Sequence, residues 1–240
     1  MLVEILLEAG LPADVIQLVH GFGEEVGAAI VEHPEIPVIS FTGSTATGSV
    51  IGETCGRMHK RLSLEMGGKN AQIVMPDANM ELALDGVLWG AFGTTGQRCT
   101  ATSRLLLHED IHDEFLERLV ARTKELRLGN GLEDGTDVGP LINQAALDKV
   151  QSYIEIAREE GDEIVVGGKR ATGGGLDNGY FFEPTILKGV KPGSRLALEE
   201  IFGPVLSVIK FSDLDEAFRI NNEVQYGLSS ALYTQDVRAS

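Results

Sequence analysis

Cys99 lies in the run Gly93-Thr94-Thr95-Gly96-Gln97-Arg98-Cys99-Thr100, and Glu65 lies upstream in Leu64-Glu65-Met66-Gly67-Gly68-Lys69. A thiolate can attack a carbonyl carbon, and a carboxylate can activate the water that later releases the acyl group. The two residues stand 34 positions apart, so only the fold can bring them to one site. Gly93 and Gly96 permit a tight, unusual path before the thiol, and the N–H of Cys99 is a candidate donor to an oxyanion. Cys55 is the natural comparison and reads as an inert buried cysteine.

Three further segments carry candidate binding groups. Gly43-Ser44-Thr45-x-x-Gly48 follows an apolar strand and opens a helix, where free N–H groups and the helix dipole suit a phosphate. The same pattern also serves as a plain helix cap with small residues for close packing. In Glu199-Glu200-Ile201-Phe202-Gly203-Pro204-Val205, carboxylates can accept hydrogen bonds from sugar hydroxyls and Phe202 can pack on a flat ring. The alternative is a charged turn with Phe202 in the core. The five histidines are scattered. His108 and His112 are four apart but lack a third neighbour at ligand spacing, so no metal site is expected.

Alternating strands and helices must position these groups, which predicts an α/β protein with a parallel sheet. A helix is expected from Leu2 to Ala9, stopped at Gly10, then a strand over Val15–Val19 and a helix over Glu24–Glu32. A strand over Val38–Phe41 leads into the Gly43 turn and a helix through Gly56, and strands follow at Arg61–Glu65 and Ala71–Met75. Asp77 or Asn79 can cap a helix through Gly90. Thr102–Leu107 reads as a strand and Ile111–Leu126 as an amphipathic helix. After a polar connection, Asn143 can cap a helix through Glu160. Strands are expected at Glu163–Val166, Phe181–Leu187 and Val205–Phe211, with Gly173–Gly175 a loop. Asp213 caps a last helix near Asn222, and Asp236 reads as the start of another element.

Composition narrows the function classes. The chain has 240 residues, 43% of them hydrophobic, and a formal charge of −16. That charge opposes binding to nucleic acid or an anionic membrane. No apolar run approaches the roughly 20 residues of a membrane span. Two cysteines form no disulfide framework, and the N-terminus does not read as a signal peptide, so a cytoplasmic setting is expected.

Taken together and in order, the segments resemble the aldehyde dehydrogenase superfamily of the hydrolytic, non-acylating type. The match comprises Phe41–Thr45, Leu64–Asn70, Gly96–Cys99, Val138–Ile142, Gly179–Thr185 and Glu199–Val205. The resemblance implies a partial Rossmann-type dinucleotide-binding lobe over residues 1–66, followed by an incomplete α/β catalytic lobe over 67–240. It implies that Cys99 is the nucleophile and Glu65 the general base. Gly43, Ser44 and Gly48 would line the cofactor phosphates, Met66 would lie near the nicotinamide amide, and Glu200 would hold the nicotinamide ribose with Phe202 beside it. The implied cofactor is NAD or NADP, with NAD favoured.

The implied reaction oxidises an aldehyde, with semialdehydes among the candidates, to a carboxylic acid. A thiohemiacetal on Cys99 gives up hydride to the nicotinamide, and water activated by Glu65 hydrolyses the resulting thioester. Relatives that pass the acyl group to coenzyme A usually lack that base, so Glu65 favours hydrolysis. The resemblance further implies a chain truncated at both ends and a homo-oligomer for the full-length family member. Two alternatives stand beside it: a non-catalytic remnant or binding module, and a cofactor-independent thiol esterase.

Overall fold

Runs rich in Val, Ile and Leu recruit one another into two sheets, one in each of the two units into which the chain divides, Met1–Met66 and Gly67–Ser240. The computed structural model describes residues 1–238. In the first unit, α1 (Leu2–Glu8) buries no residue. A π-helical turn over Gly23–Gly27 runs into α2 (Ala28–Glu32). Strand β1 (Val38–Thr42), helix α3 (Thr45–Arg57) and strand β2 (Arg61–Glu65) complete the unit. β1 and β2 pair in parallel, Val38 opposite Arg61 through Thr42 opposite Glu65. Val31, Ile39 and Cys55 form its small core.

The strand expected over Val15–Val19 does not form. That stretch is a turn followed by irregular chain, with Val15, Leu18 and Val19 more than half exposed. A short apolar run becomes a strand only by pairing with a neighbour, and this one pairs with no strand among the described residues.

The second unit carries β3 (Asn70–Val74), α4 (Met80–Phe92), β4 (Thr102–His108), α5 (His112–Lys124), α6 (Gln144–Glu160) and β5 (Glu163–Val166). It continues with β6 (Thr185–Lys188), α7 (Arg195–Leu198), β7 (Val205–Phe211), α8 (Leu214–Asn222) and β8 (Ser230–Tyr233). The sheet order is β5-β6-β7-β4-β3-β8. Every pairing is parallel except β5 with β6, so the expected parallel sheet ends in one antiparallel edge strand. Both faces are covered. Ala71, Ile73, Leu106 and Ile209 pack with residues of α6 and α8. Val74, Leu105, Leu107 and Val208 pack with residues of α4 and α5. Consecutive leucines in β4 thus serve opposite faces, as the two-residue period of a strand requires.

Boundaries differ from expectation where local chemistry intervenes. Pro184 has no N–H to give a ladder, so β6 starts at Thr185 rather than Phe181, and Phe182 makes only an isolated bridge with Arg170. Asn79, not Asp77, caps α4, accepting from Leu82 N at 3.1 Å. Asp77 instead accepts from Thr234 Oγ1 and from the N–H groups of Gln235 and Asp236, tying down the end of β8. β8, which pairs with β3, was not among the expected strands. Asp236 closes a turn by accepting from Arg238 N, and an element extending past that residue would lie outside the described residues.

Candidate active site

Within the first unit, the phosphate-turn candidates and the carboxylate candidate share one sheet end. Gly43 N donates to Glu65 O at 3.0 Å, immediately past the Thr42–Glu65 pair. Ser44 caps α3 and its Oγ accepts from Thr47 N at 3.1 Å. The N–H groups of Thr45 and Ala46, first in the helix, have no intrahelical partner and lie at its positive end. A Cβ on Gly43 would come within 2.4 Å of Phe41 Cζ, so the Phe41 ring packs closely against this turn. Gly48 is buried against Met66, where a Cβ would meet Sδ at 2.5 Å. The turn therefore fits a phosphate-bearing cofactor. Glu65 is exposed at the end of β2.

Within the second unit, three other sequence segments pack around the loop that carries Cys99. Asn70 Nδ2 donates to Cys99 O (2.7 Å) and Ala101 O (2.9 Å), and Asn70 Oδ1 accepts from Ser229 N (3.2 Å). The β3–β4 register slips at Asn70/Ala71, an irregularity of the kind that redirects a strand end beside a site. Gly68 is needed for this approach, because a Cβ there would lie 2.4 Å from Cys99 O. The neighbouring Gly67 lies against the Glu200 carboxylate, whose Oε2 would be 2.4 Å from a Cβ. Glu200 Oε1 accepts from Gly68 N at 2.9 Å.

The loop before Cys99 is held from a second side. Thr95 Oγ1 donates to Gly139 O (3.0 Å), Gln97 Nε2 donates to Pro140 O (3.3 Å), and Gln97 Oε1 accepts from Ile142 N (2.9 Å). Thr94, Thr95 and Gly96 all have positive φ, at 52°, 58° and 66°. The unusual path thus extends to the two threonines, which adopt a conformation disfavoured for residues with a Cβ. A Cβ on Gly96 would lie 2.2 Å from Gly203 O, so this loop abuts the Glu199–Val205 turn. Arg98 lies over the Trp89 ring, 4.0 Å from its centroid.

The two adjacent acids in that turn have different surroundings. Glu199 accepts from Tyr153 Oη (2.7 Å) and from Arg195 Nε and Nη2 (2.9 and 3.0 Å). The Arg195 bonds hold its carboxyl below the usual carboxylate range. Burial and the bond to Glu199 push the Tyr153 phenol up to about 12. Glu199 is thereby occupied by the protein, while Glu200 makes one main-chain bond. Phe202 is not core: it is 41% exposed with φ of 61°. Cys99 is partly accessible, whereas Cys55 is buried in the small core of the first unit.

Sequence reasoning gave no role to Asn70, Gln97, Thr95 or Lys69, although all lie inside the motifs it singled out. Their identity was visible. The carbonyls that Asn70, Thr95 and Gln97 reach were not, because those belong to chain segments brought near only by the fold, and neither was the burial of Lys69.

Comparison with known proteins gives a consistent result. The sequence model of the aldehyde dehydrogenase family matches residues 1–240. The chain is 42% identical over 230 residues to an α-ketoglutaric semialdehyde dehydrogenase of Bacillus subtilis, covering 96% of this chain and 47% of that protein. It is also 42% identical over 236 residues to a D-glyceraldehyde dehydrogenase (NADP+) of Picrophilus torridus, covering 98% and 48%. A crystal structure of betaine aldehyde dehydrogenase from Staphylococcus aureus in complex with NAD+ matches with a TM-score of 0.96 at 39% identity, covering 99% of this chain and 47% of that one. The chain spans about half the length of the relatives it matches.

Proposed function

The chain belongs to the aldehyde dehydrogenase family, and on that premise we propose that the protein oxidises an aldehyde to a carboxylic acid with Cys99 as nucleophile and Glu65 as general base. The observation that supports this reading is the packing of the Gly67–Asn70, Gly139–Ile142 and Glu199–Val205 segments around the Gly96–Cys99 loop, through the bonds of Asn70, Thr95 and Gln97 and the close main-chain approaches of Gly68 and Gly96. Residues 1–66 would form part of the dinucleotide-binding lobe and residues from 67 onward the catalytic lobe.

The Cys99 sulfur forms a bond to the aldehyde carbon, giving a thiohemiacetal whose oxygen carries the former carbonyl electron pair. When bound, the nicotinamide cofactor supplies the hydride acceptor that takes the carbon to the oxidation level of an acid. Cys99 then carries a thioester. Glu65 takes a proton from water, the water oxygen bonds to the acyl carbon, and the carbon–sulfur bond breaks to free the carboxylic acid and return the thiolate. Asn70 fixes the main chain of Cys99, and the strained Thr94–Gly96 path aims the thiol. The N–H groups of Thr45 and Ala46 would hold a cofactor phosphate, and Glu200 with Phe202 would receive the nicotinamide ribose and ring.

NAD is the first cofactor to test, with NADP beside it, because the relatives include proteins named with each. A semialdehyde is the first substrate class, after the Bacillus subtilis relative. The test is reduced-nicotinamide formation with an aldehyde panel and both cofactors. Formation should vanish in Cys99→Ala and persist in Cys55→Ala. An active Cys99→Ala protein would refute the assignment.

A further inference from the structure

Trp89 lies against both ends of the loop that leads to Cys99, a contact to which the proposed reaction assigns nothing. Its ring sits beside Gly93, where a Cβ would be 3.4 Å from Cδ1 and Nε1. The guanidinium carbon of Arg98 lies over the same ring, 4.0 Å from the centroid. Gly93 opens the loop and Arg98 immediately precedes Cys99. The indole thus fastens the segment at its start and at its end to the last turn of α4. Between these contacts stand Thr94 and Thr95, with φ of 52° and 58°. Such a conformation persists only where its surroundings over-determine it.

The guanidinium has few other ties. Nε is buried without a hydrogen-bond partner, and Nη2 reaches Gly90 O only at 3.5 Å. The chain holds 36 acidic residues against 20 basic ones, yet Arg98 forms no ion pair among the described residues. A cation with neither carboxylate nor strong hydrogen bond is held by the ring face, whose quadrupole attracts it. Arginine suits this contact because its planar group stacks on an aromatic face, whereas a lysine ammonium is a hydrated point charge. Thr95, Gln97 and Asn70 bind the same segment to residues 139–142 and to β3. The Arg98–Trp89 stack adds the tie to α4.

We propose that Arg98 and Trp89 form a latch that holds the strained Thr94–Thr95 path and so positions Cys99. Arg98 acts through its neighbour and not on the reacting atoms. The positioning role rests on Cys99 being the nucleophile, but the latch is read by Cys99 alkylation and Trp89 fluorescence, neither of which needs turnover. An active Cys99→Ala protein would refute the nucleophile and leave both readings unaltered.

The test is a double-mutant cycle on the 240-residue chain, with the rate of Cys99 alkylation by iodoacetamide followed by peptide mass mapping. Released from the indole, the threonines relax toward negative φ and the thiol loses its aim. Trp89→Leu and Arg98→Met should therefore each slow alkylation at least about threefold. The double variant should be no slower than the slower single one, because a single contact is lost in all three. Trp89→Phe keeps an aromatic face and should retain at least about half the wild-type rate, whereas Arg98→Lys should behave like Arg98→Met. Trp89 is the only tryptophan, so Arg98→Met should also shift the emission spectrum of the folded protein. The proposal is overturned if either single variant keeps more than about a third of the wild-type rate, or if the two effects multiply in the double variant. Restoration by Arg98→Lys would make charge alone sufficient and overturn it too, as would an unshifted Arg98→Met spectrum or a Trp89→Phe protein as slow as Trp89→Leu. Should Trp89→Leu not fold, the two Arg98 variants, which leave α4 unaltered, decide together with the spectrum.

Discussion

Cys99 and Cys55 differ in access rather than in type. Cys99 is partly exposed on a strained loop, and Cys55 is sealed in a small core. Iodoacetamide should therefore label Cys99 in the folded protein and reach Cys55 only on unfolding, as peptide mass mapping would show. Equal labelling would remove the distinction. Lys69, 1% exposed with no hydrogen-bond partner for its Nζ, gives a second prediction at this scale. Its folded pKa of about 7 lies below the unfolded value of 10.5, so between these values the unfolded chain holds more protons. The penalty is fully present below about pH 7 and fades as pH rises toward 10.5. In carboxylate-free buffer, stability from urea unfolding at pH 7, 8 and 9 should climb more steeply for wild type than for Lys69→Met, by about 1 kcal/mol per pH unit. Coincident slopes would mean that Lys69 is not buried as an unpaired amine. Cysteine and glutamate were legible as chemistry because their types announce it. Lys69 was not, since a lysine in sequence reads as surface until burial is known.

At the scale of elements, glycines set how closely segments approach. Gly96 has positive φ and no space for a Cβ beside Gly203 O. Gly131 has nothing within 4 Å. Gly96→Ala should therefore cost more than about 2 kcal/mol and slow alkylation of Cys99, while Gly131→Ala should stay within about 0.5 kcal/mol. Similar costs for both in chemical unfolding would contradict the close packing of loop and turn. Asn143 caps α6 by accepting from Ala146 N at 2.9 Å, and Asn143→Ala should lose about 1 kcal/mol. The caps of α6 and α8 were readable because Asn143 and Asp213 act within three residues of themselves. β8 was not readable. Ser230–Tyr233 is short, and it becomes a strand through its pairing with β3 about 160 residues earlier. The Val15–Val19 run is the converse case, with apolar residues but no ladder partner among the described residues.

At the scale of the whole molecule, the chain carries two units and spans about half the length of the relatives it matches. No helix among the described residues is long and apolar enough to cross a membrane. The family was legible because its short motifs keep their order along the chain. The burial of Lys69 beside Arg104 was not, because it depends on the Gly67–Asn70 turn and β4 meeting in space. The most direct measurement is intact mass and peptide mapping of the Glu65→Gln protein after incubation with aldehyde and oxidised nicotinamide cofactor. The expected result is an acyl adduct on the peptide containing Cys99, persisting because its hydrolysis is slowed. An adduct on Cys55, or reduced nicotinamide formed with no adduct and undiminished turnover, would contradict the assignment of nucleophile and base.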